Sequence, residues 1–441
     1  MSAQPTPTEA AAPDTPEVLG LEPRRAALSL IKAGLERRGG LEAAMTRPPF
    51  TALDARRRAY ARGLAATTLR RLGTIDRRLD AKLTKPPPEA VRALLRLGAA
   101  QLLHRDTPAF AAVDSSVELA AADDSTRPFK GLVNAVLRGL AREPAPDLPP
   151  EADLPDWLWA RWRSAWGEDA ARAIAAQVAV EPPTDLTPRD PSDAAALAAE
   201  LDGEVLPSGG VRTARRGELT GWPGYGEGRW WVQDAAAAVP ARLLAVRPGE
   251  RVLDVCAAPG GKTLQLAAAG AAVTALDRSA PRLRRLGENL ARLGLAAEVV
   301  AAEAVGWADQ RRFDAALVDA PCTATGTFRR HPDVLWAAKP GEIGKLATLQ
   351  SRLLDSAAER VRPGGRLVYC VCSLEPEEGE GQVAGFLARR PDWRLDPVAA
   401  GEGGAPVEAL TAEGALRILP SMWAQRGGID GFYAARLVRP A

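Results

Sequence analysis

The stretch "VLDVCAAPGGKTLQLA", residues 252 to 267, sets a short apolar run before a turn of small residues and glycines, and then a helix start. Strand, glycine turn and helix in that order let backbone N–H groups approach an anionic or polar ligand at the positive end of a helix. Two nucleotide-binding patterns do not fit. The first glycine of a P-loop would fall on Cys256, and the G-x-G-x-x-G dinucleotide fingerprint is absent. What remains is a nucleoside without a pyrophosphate to cradle, gripped through its ribose by an acid at the next strand end. Asp277 lies about twenty residues on, the distance at which such an acid meets ribose hydroxyls. S-adenosylmethionine meets this description, being a nucleoside with a charged amino-acid tail and no phosphate. A plain tight turn between strand and helix is the alternative, and Asp277 in register weighs against it.

Around this loop, short apolar runs alternate with helix-length segments. "RVLDV" (251–255), "AVTALD" (272–277), "AEVVAA" (297–302), "FDAALVDA" (313–320) and "GRLVYCV" (365–371) are predicted as buried strands, with helices such as "RLRRLGENLARLG" between most of them. That alternation predicts an α/β, Rossmann-like fold with a mostly parallel sheet covered on both faces. "GIDGFYAARLVR" (428–439) adds a glycine-bounded turn and an antiparallel strand at the C-terminal edge. In such sheets ligands bind beyond the carboxyl ends of the strands. Cys256, Asp277, Glu303, Asp319, Cys322 and Cys372 all fall there, so they are expected at one rim.

The chain has 441 residues, 46% hydrophobic and 25% charged, which fits a globular protein of two or three domains. Residues 1–20, rich in Pro, Thr, Ala and acids, form an expected disordered lead-in and not a signal peptide. No apolar run is long enough to cross a bilayer, so no membrane partner and a cytoplasmic location are expected. From 21 to 145 the apolar residues recur at helical spacing, predicting an all-α domain. "REPAPDLPPEADLPD" (142–156) is expected as a linker. Residues 146–228 hold this linker, a helical stretch with Trp159, Trp162 and Trp166 on a packing face, and a small α+β connector. The catalytic domain is expected over 229–441.

Net charge is only +2, yet residues 21–145 carry about ten more basic than acidic residues, clustered at Arg24-Arg25, Arg37-Arg38, Arg56 to Arg58, Arg70-Arg71 and Arg77-Arg78. This points either to a nucleic-acid partner or to an arginine-rich solvated helical surface, and charge alone does not choose.

"VDAPCTATGTFRRHPDVLW" (318–336) presents Cys322 beside Asp319 at a strand end, with Arg329 and Arg330 as cations able to hold phosphates. His331, before a proline, is expected to be structural or to contact RNA in preference to acting as a base. In "YCVCSLEPEEGE" (369–380), Cys370 and Cys372 point to the same side of a strand. Cys370 is expected to pack in the core, and Cys372, at the strand's end, to face the crevice. Besides four cysteines without C-x-x-C spacing there are only His104 and His331, so no metal is expected. A methyl donor beside a crevice thiolate and a carboxylate points to cytosine methylation. C5 of cytosine is a weak nucleophile until a thiolate adds at C6 and an acid supports protonation at N3.

With these residues in place, "DVCAAPGGKT", "DAPCTATG", "RRHPDVLW", "CSLEPEE" and "DGFYAARL" resemble the RNA cytosine-5 methyltransferases over the chain from about 229 to its end. The resemblance implies Cys372 as nucleophile, Cys322 in product release and Asp319 as the acid engaging the cytosine. It implies donor contacts from Cys256, Ala257, Ala258, Pro259, Gly260, Gly261, Lys262, Asp277, Glu303 and Asp319. Glu303 stands where the family usually has Asp. Leu335 stands where it usually has Lys or Arg, so one substrate-side charge is expected to be missing. "LLRLGAAQLLH", "AAVDSSVELA" and "GLVNAVLRGL" resemble the NusB-type RNA-binding domain. Fused ahead of this catalytic domain, that module is typical of bacterial enzymes methylating a cytosine of 16S ribosomal RNA. The same chemistry on transfer RNA, or a non-catalytic RNA-binding or antitermination factor, are the alternatives.

Overall fold

The computed structural model describes residues 20–37, 39–105, 107–144 and 148–441, so nearly all of the expected lead-in lies outside the described residues. The chain divides into two compact units, with the break at Leu148 and Pro149.

The first unit contains helices α1 (Glu22–Glu36), α2 (Gly40–Met45), α3 (Ala55–Arg70), α4 (Leu72–Asp80), α5 (Glu89–His104), α6 (Ala109–Ala121) and α7 (Lys130–Ala141). Asp54 caps α3, accepting from the Arg57 N–H at 2.8 Å. The helices close around α5, whose Val91, Leu94, Leu95 and Leu97 are buried. Gly98 permits this: a Cβ there would lie 2.5 Å from Leu137 Cδ1 and 2.8 Å from Ser116 Oγ. The basic clusters are split by the helical period. Arg24, Arg70 and Arg78 turn inward, Arg24 donating to Gln101 Oε1 at 2.8 Å, while Arg25, Arg37, Arg56 and Arg77 are exposed.

In the second unit, part of the expected linker is packed. Pro150–Asp153 forms a 3-10 turn, and Ala152 and Leu154 are buried. Helices α8 (Asp156–Trp166) and α9 (Glu168–Ala176) follow. Their tryptophans pack as expected: Trp162 is fully buried, and Trp159 and Trp166 lie partly buried against the same cluster. A small antiparallel sheet comes next, built from β1 (Thr184–Pro188), β2 (Gly203–Val205), β3 (Val211–Thr213) and β4 (Trp230–Val232) in the order β2-β3-β1-β4. Helix α10 (Ala194–Glu200) covers it through Leu197 over Leu186, Val211 and Trp230.

The large sheet has eight strands: β5 (Arg251–Val255), β6 (Ala272–Asp277), β7 (Glu298–Ala301), β8 (Phe313–Asp319), β9 (Val361–Val371), β10 (Arg394–Leu395), β11 (Leu416–Ile418) and β12 (Phe432–Val438). Its order is β10-β12-β9-β8-β5-β6-β7, with β11 also on β12. The five strands from β9 to β7 are parallel, and β12 runs antiparallel to β9 with Ala434 opposite Cys370. The last strand is not itself the border, because β10 and β11 flank it. Helices α11 (Ala235–Leu243), α12 (Gly261–Ala268) and α13 (Ala280–Leu293) cover one face, and α15 (Pro340–Arg360) and α16 (Glu380–Arg389) the other, with α14 (Asp333–Ala337) in the loop between. Strand alternation sorts β9 between them: Val368 and Cys370 face the first set, Leu367, Tyr369 and Val371 the second.

Candidate active site

Strand β5 ends at Val255, and Cys256 turns the chain with a φ of 62°. The Ala257 N–H donates to Leu276 O at 3.1 Å and the Ala258 N–H to Asp277 Oδ2 at 3.2 Å. The loop is thereby held to the end of β6, where Asp277 is buried and also accepts from the Ser279 N–H at 2.8 Å. Gly260 has a φ of 114°, and a Cβ there would lie 2.3 Å from Leu286 Cδ1. No other residue allows both the turn and the close seat on α13. Pro259, at the loop's tip, is exposed. Arg282 donates to Ala258 O and lies 3.6 Å from Asp277 Oδ2.

Three carboxylates, of Asp254, Asp277 and Asp319, act on this loop. Burial, with their negative charge added, pushes the Cys256 thiol up to about 12, which removes it as a nucleophile. Asp254 is fully buried and its carboxyl is pushed up to about 7 by burial. Oδ2 accepts from Thr263 Oγ1 at 2.5 Å, whereas Oδ1 has no hydrogen-bond partner. Two of the three already have a counter-charge, Asp277 in Arg282 and Asp319 in Lys262. Glu303 lies just beyond β7, exposed, 3.9 Å from Arg278.

At the neighbouring strand ends, Cys322 Sγ and Cys372 Sγ stand 3.5 Å apart, both half-buried. The sheet brings them together: the Ala320 N–H donates to Cys370 O and the Gly326 N–H to Cys372 O, both at 3.0 Å. Gly326 packs so closely that a Cβ would lie 2.2 Å from Gly431 O. Contact with Cys372, and then burial, hold the Cys322 thiol well above its ordinary range. Cys370 is fully buried as expected, its thiol raised by burial and donating to Asp319 Oδ1 at 3.6 Å.

The other Asp319 oxygen accepts from Lys262 Nζ at 2.7 Å. Lys262 is buried with its ammonium 5.0 Å from the centre of the Phe432 ring. Burial works against that ammonium, but Asp319 outweighs it and the pKa lies above the ordinary lysine range. This ion pair was not legible in the sequence, though the two motifs that carry it were.

Two expectations change. Arg329 is fully buried, 3.2 Å from Asp430 and 3.7 Å from Asp234, and donates to Gly427 O. Arg330 lies 2.6 Å from Asp234 and 3.4 Å from both Asp185 and Asp430. Arg212 completes the cluster with paired bonds to Asp185 at 2.7 and 2.8 Å. Both motif arginines are thus neutralised inside the fold and are not phosphate holders. Leu335 is fully buried among Leu158, Trp162, Phe328 and Leu374. A charge at this place would point into that core, so no substrate-side cation is missing there. His331 sits in a turn, its N–H bonded to Thr327 O at 2.9 Å. Among the described residues no group of three or more His, Cys, Asp or Glu side chains is arranged to hold a metal ion, and no helix is long and apolar enough to cross a membrane.

Residues 241–438 match the family described as 16S rRNA methyltransferase RsmB/F, and residues 22–142 match the NusB family. Ribosomal RNA small subunit methyltransferase B of Pseudomonas syringae pv. tomato is 37% identical over 453 residues, covering 96% of this chain and 98% of that protein. Its counterpart from Thermus thermophilus is 37% identical over 405 residues, covering 90% and 92%. The crystal structure of PH0851 superposes with a TM-score of 0.78 over 97% of this chain and 99% of that one, at 24% identity, a likeness of fold.

Proposed function

Since the chain belongs to the RsmB/F family of 16S rRNA methyltransferases and is a SAM-dependent RNA methyltransferase with a NusB domain ahead of its catalytic fold, we propose that it methylates C5 of a cytosine in 16S rRNA through a covalent Cys372–C6 adduct. The observation that carries this is the 3.5 Å approach of Cys322 and Cys372 at the strand ends, where Asp319 closes β8. S-adenosylmethionine, when bound, supplies an electrophilic methyl on a sulfonium sulfur. Cys256 to Lys262, Asp277, Asp319 and the exposed Glu303 would hold it.

The Cys372 thiolate adds to C6 while N3 takes a proton with Asp319 in support, so the ring's electron pair collects at C5. C5, made nucleophilic in this way, would take the methyl group that the bound donor supplies, leaving S-adenosylhomocysteine. Cys322, as its thiolate, then removes the C5 proton, the C5–C6 double bond re-forms, the C6–S bond breaks to return the Cys372 thiolate, and N3 gives back the proton it took. Contact with Cys372 is the first cause of the raised Cys322 pKa. Bonding Cys372 to C6 removes that contact, so Cys322 ionises more readily at the stage that needs a base. Two working thiols fit a reducing cytoplasm. A purely RNA-binding role would have no use for the thiol pair or the buried Lys262–Asp319 pair.

Methyl transfer to 16S rRNA transcripts, with bisulfite mapping, tests the reading. Cys372→Ala is expected to abolish transfer, and Cys322→Ala to leave enzyme covalently bound to RNA on a denaturing gel. Full activity of Cys372→Ala would refute the assignment of the nucleophile, and preference for transfer RNA would move the substrate.

A further inference from the structure

Glu378 has no part in the steps above, yet it is fully buried between the two thiol segments. Its Oε1 accepts from the Thr323 N–H and from Gln350 Nε2, both at 3.0 Å. Its Oε2 accepts from Thr323 Oγ1 and Ser373 Oγ. Thr323 follows Cys322, and Ser373 follows Cys372, so the residue after each thiol donates to the same carboxylate. The two hydroxyls are themselves 3.0 Å apart, and Gln350 also donates to Pro321 O at 2.9 Å, on the other side of Cys322. All four donors are neutral groups, and burial raises the Glu378 carboxyl above its ordinary range. A carboxylate in such a place stays only because its bonds are complete. Moving either thiol segment breaks one of them.

The two segments do not depend on it equally. Cys372 follows directly on β9, which is paired along its length with β8 on one side and β12 on the other. Cys322 lies in the loop after β8, anchored next door through Thr323. Loss of the carboxylate therefore displaces Cys322 more than Cys372.

We infer that Glu378 is a positioning residue that sets the separation of Cys322 and Cys372, and so governs release of the methylated cytosine more than formation of the adduct. The inference rests on Cys372 as nucleophile and Cys322 as the releasing thiol. Glu378→Gln keeps the shape but sets an NH2 group against donors it cannot accept from.

The full chain, an unmodified 16S rRNA transcript and S-adenosylmethionine are used, with circular dichroism and donor binding as controls of the fold. Glu378→Gln is expected to lower kcat by on the order of 10- to 100-fold, to change KM for RNA little, and to accumulate RNA-linked enzyme on a denaturing gel. A merely structural role would lower stability without shifting the enzyme toward the adduct. Wild-type kcat, or parallel loss of turnover and adduct in a folded, donor-binding variant, overturns the inference. If Glu378→Gln does not fold, Thr323→Val and Ser373→Ala each remove one donor and should give a smaller accumulation, and none from either overturns it. Cys322→Ala run alongside separates the two levels. Adduct there but none with Glu378→Gln sinks only the role of Glu378, and no adduct there sinks the reading of the thiol pair and this inference with it.

Discussion

The buried cluster of Asp185, Asp234, Asp430, Arg212, Arg329 and Arg330 balances three carboxylates against three guanidiniums, with Arg329 0% exposed and Arg212 and the three Asp side chains at 5% or less. Arg329→Met keeps the length of the side chain and removes its charge. Asp430 then loses its 3.2 Å partner, and three carboxylates face two cations. Breaking a buried pair from one side costs about 3–5 kcal/mol. Asp430→Asn alone should cost less, because burial already pushes that carboxyl above its ordinary range. In the double variant the balance is restored, and about 1–3 kcal/mol of the loss should return as coupling energy. The assay is denaturant unfolding followed by intrinsic fluorescence, since all eleven tryptophans lie between Trp157 and Trp423 and so report on the second unit. A loss below about 1 kcal/mol for Arg329→Met, or strict additivity in the double variant, would show that these charges are not held as one neutral set.

Lys262→Met should lower methyl transfer by about 10²-fold with the fold kept, because Asp319 loses its 2.7 Å partner. Lys262→Arg should not rescue it, since the planar guanidinium does not fit the buried seat over Phe432, and a rescued rate counts against the argument. Asp254, raised to about 7 when folded against about 3.9 unfolded, contributes stability that is present below pH 4 and lost as pH rises to 7. Asp254→Asn should flatten unfolding midpoints measured between those values, and an unchanged slope contradicts the burial argument. Leu335→Lys should cost about 3 kcal/mol in denaturant unfolding without tightening RNA binding, whereas wild-type stability would mean the side chain escapes the core.

The parallel strands were legible because a strand buried on both faces is a continuous apolar run, and their ends placed Asp277, Asp319, Cys322 and Cys372 at one rim. Position along "YCVCSL", inside the apolar run or at its end, also separated core Cys370 from Cys372. Charges were harder. Arg329 and Arg330 look like surface cations in sequence, and their partners Asp234 and Asp430 lie 95 to 101 residues away, a spacing with no local signature. Glu378 is one of several acids in "CSLEPEEGE", and only the meeting of two distant loops marks it out. The Pro-Gly-Gly at 363–365 looks like a turn yet lies within β9.

The small antiparallel sheet contributes Asp185 from β1 and Arg212 from β3 to the charge cluster that steadies Arg330. This bears on heredity. A recombination event that carried off the large sheet alone would leave Asp185 and Arg212 behind, so Arg330 would keep Asp234 and Asp430 but lose one of its three carboxylates. The two sheets thus share one buried charge cluster, all of whose residues lie after the Leu148–Pro149 seam.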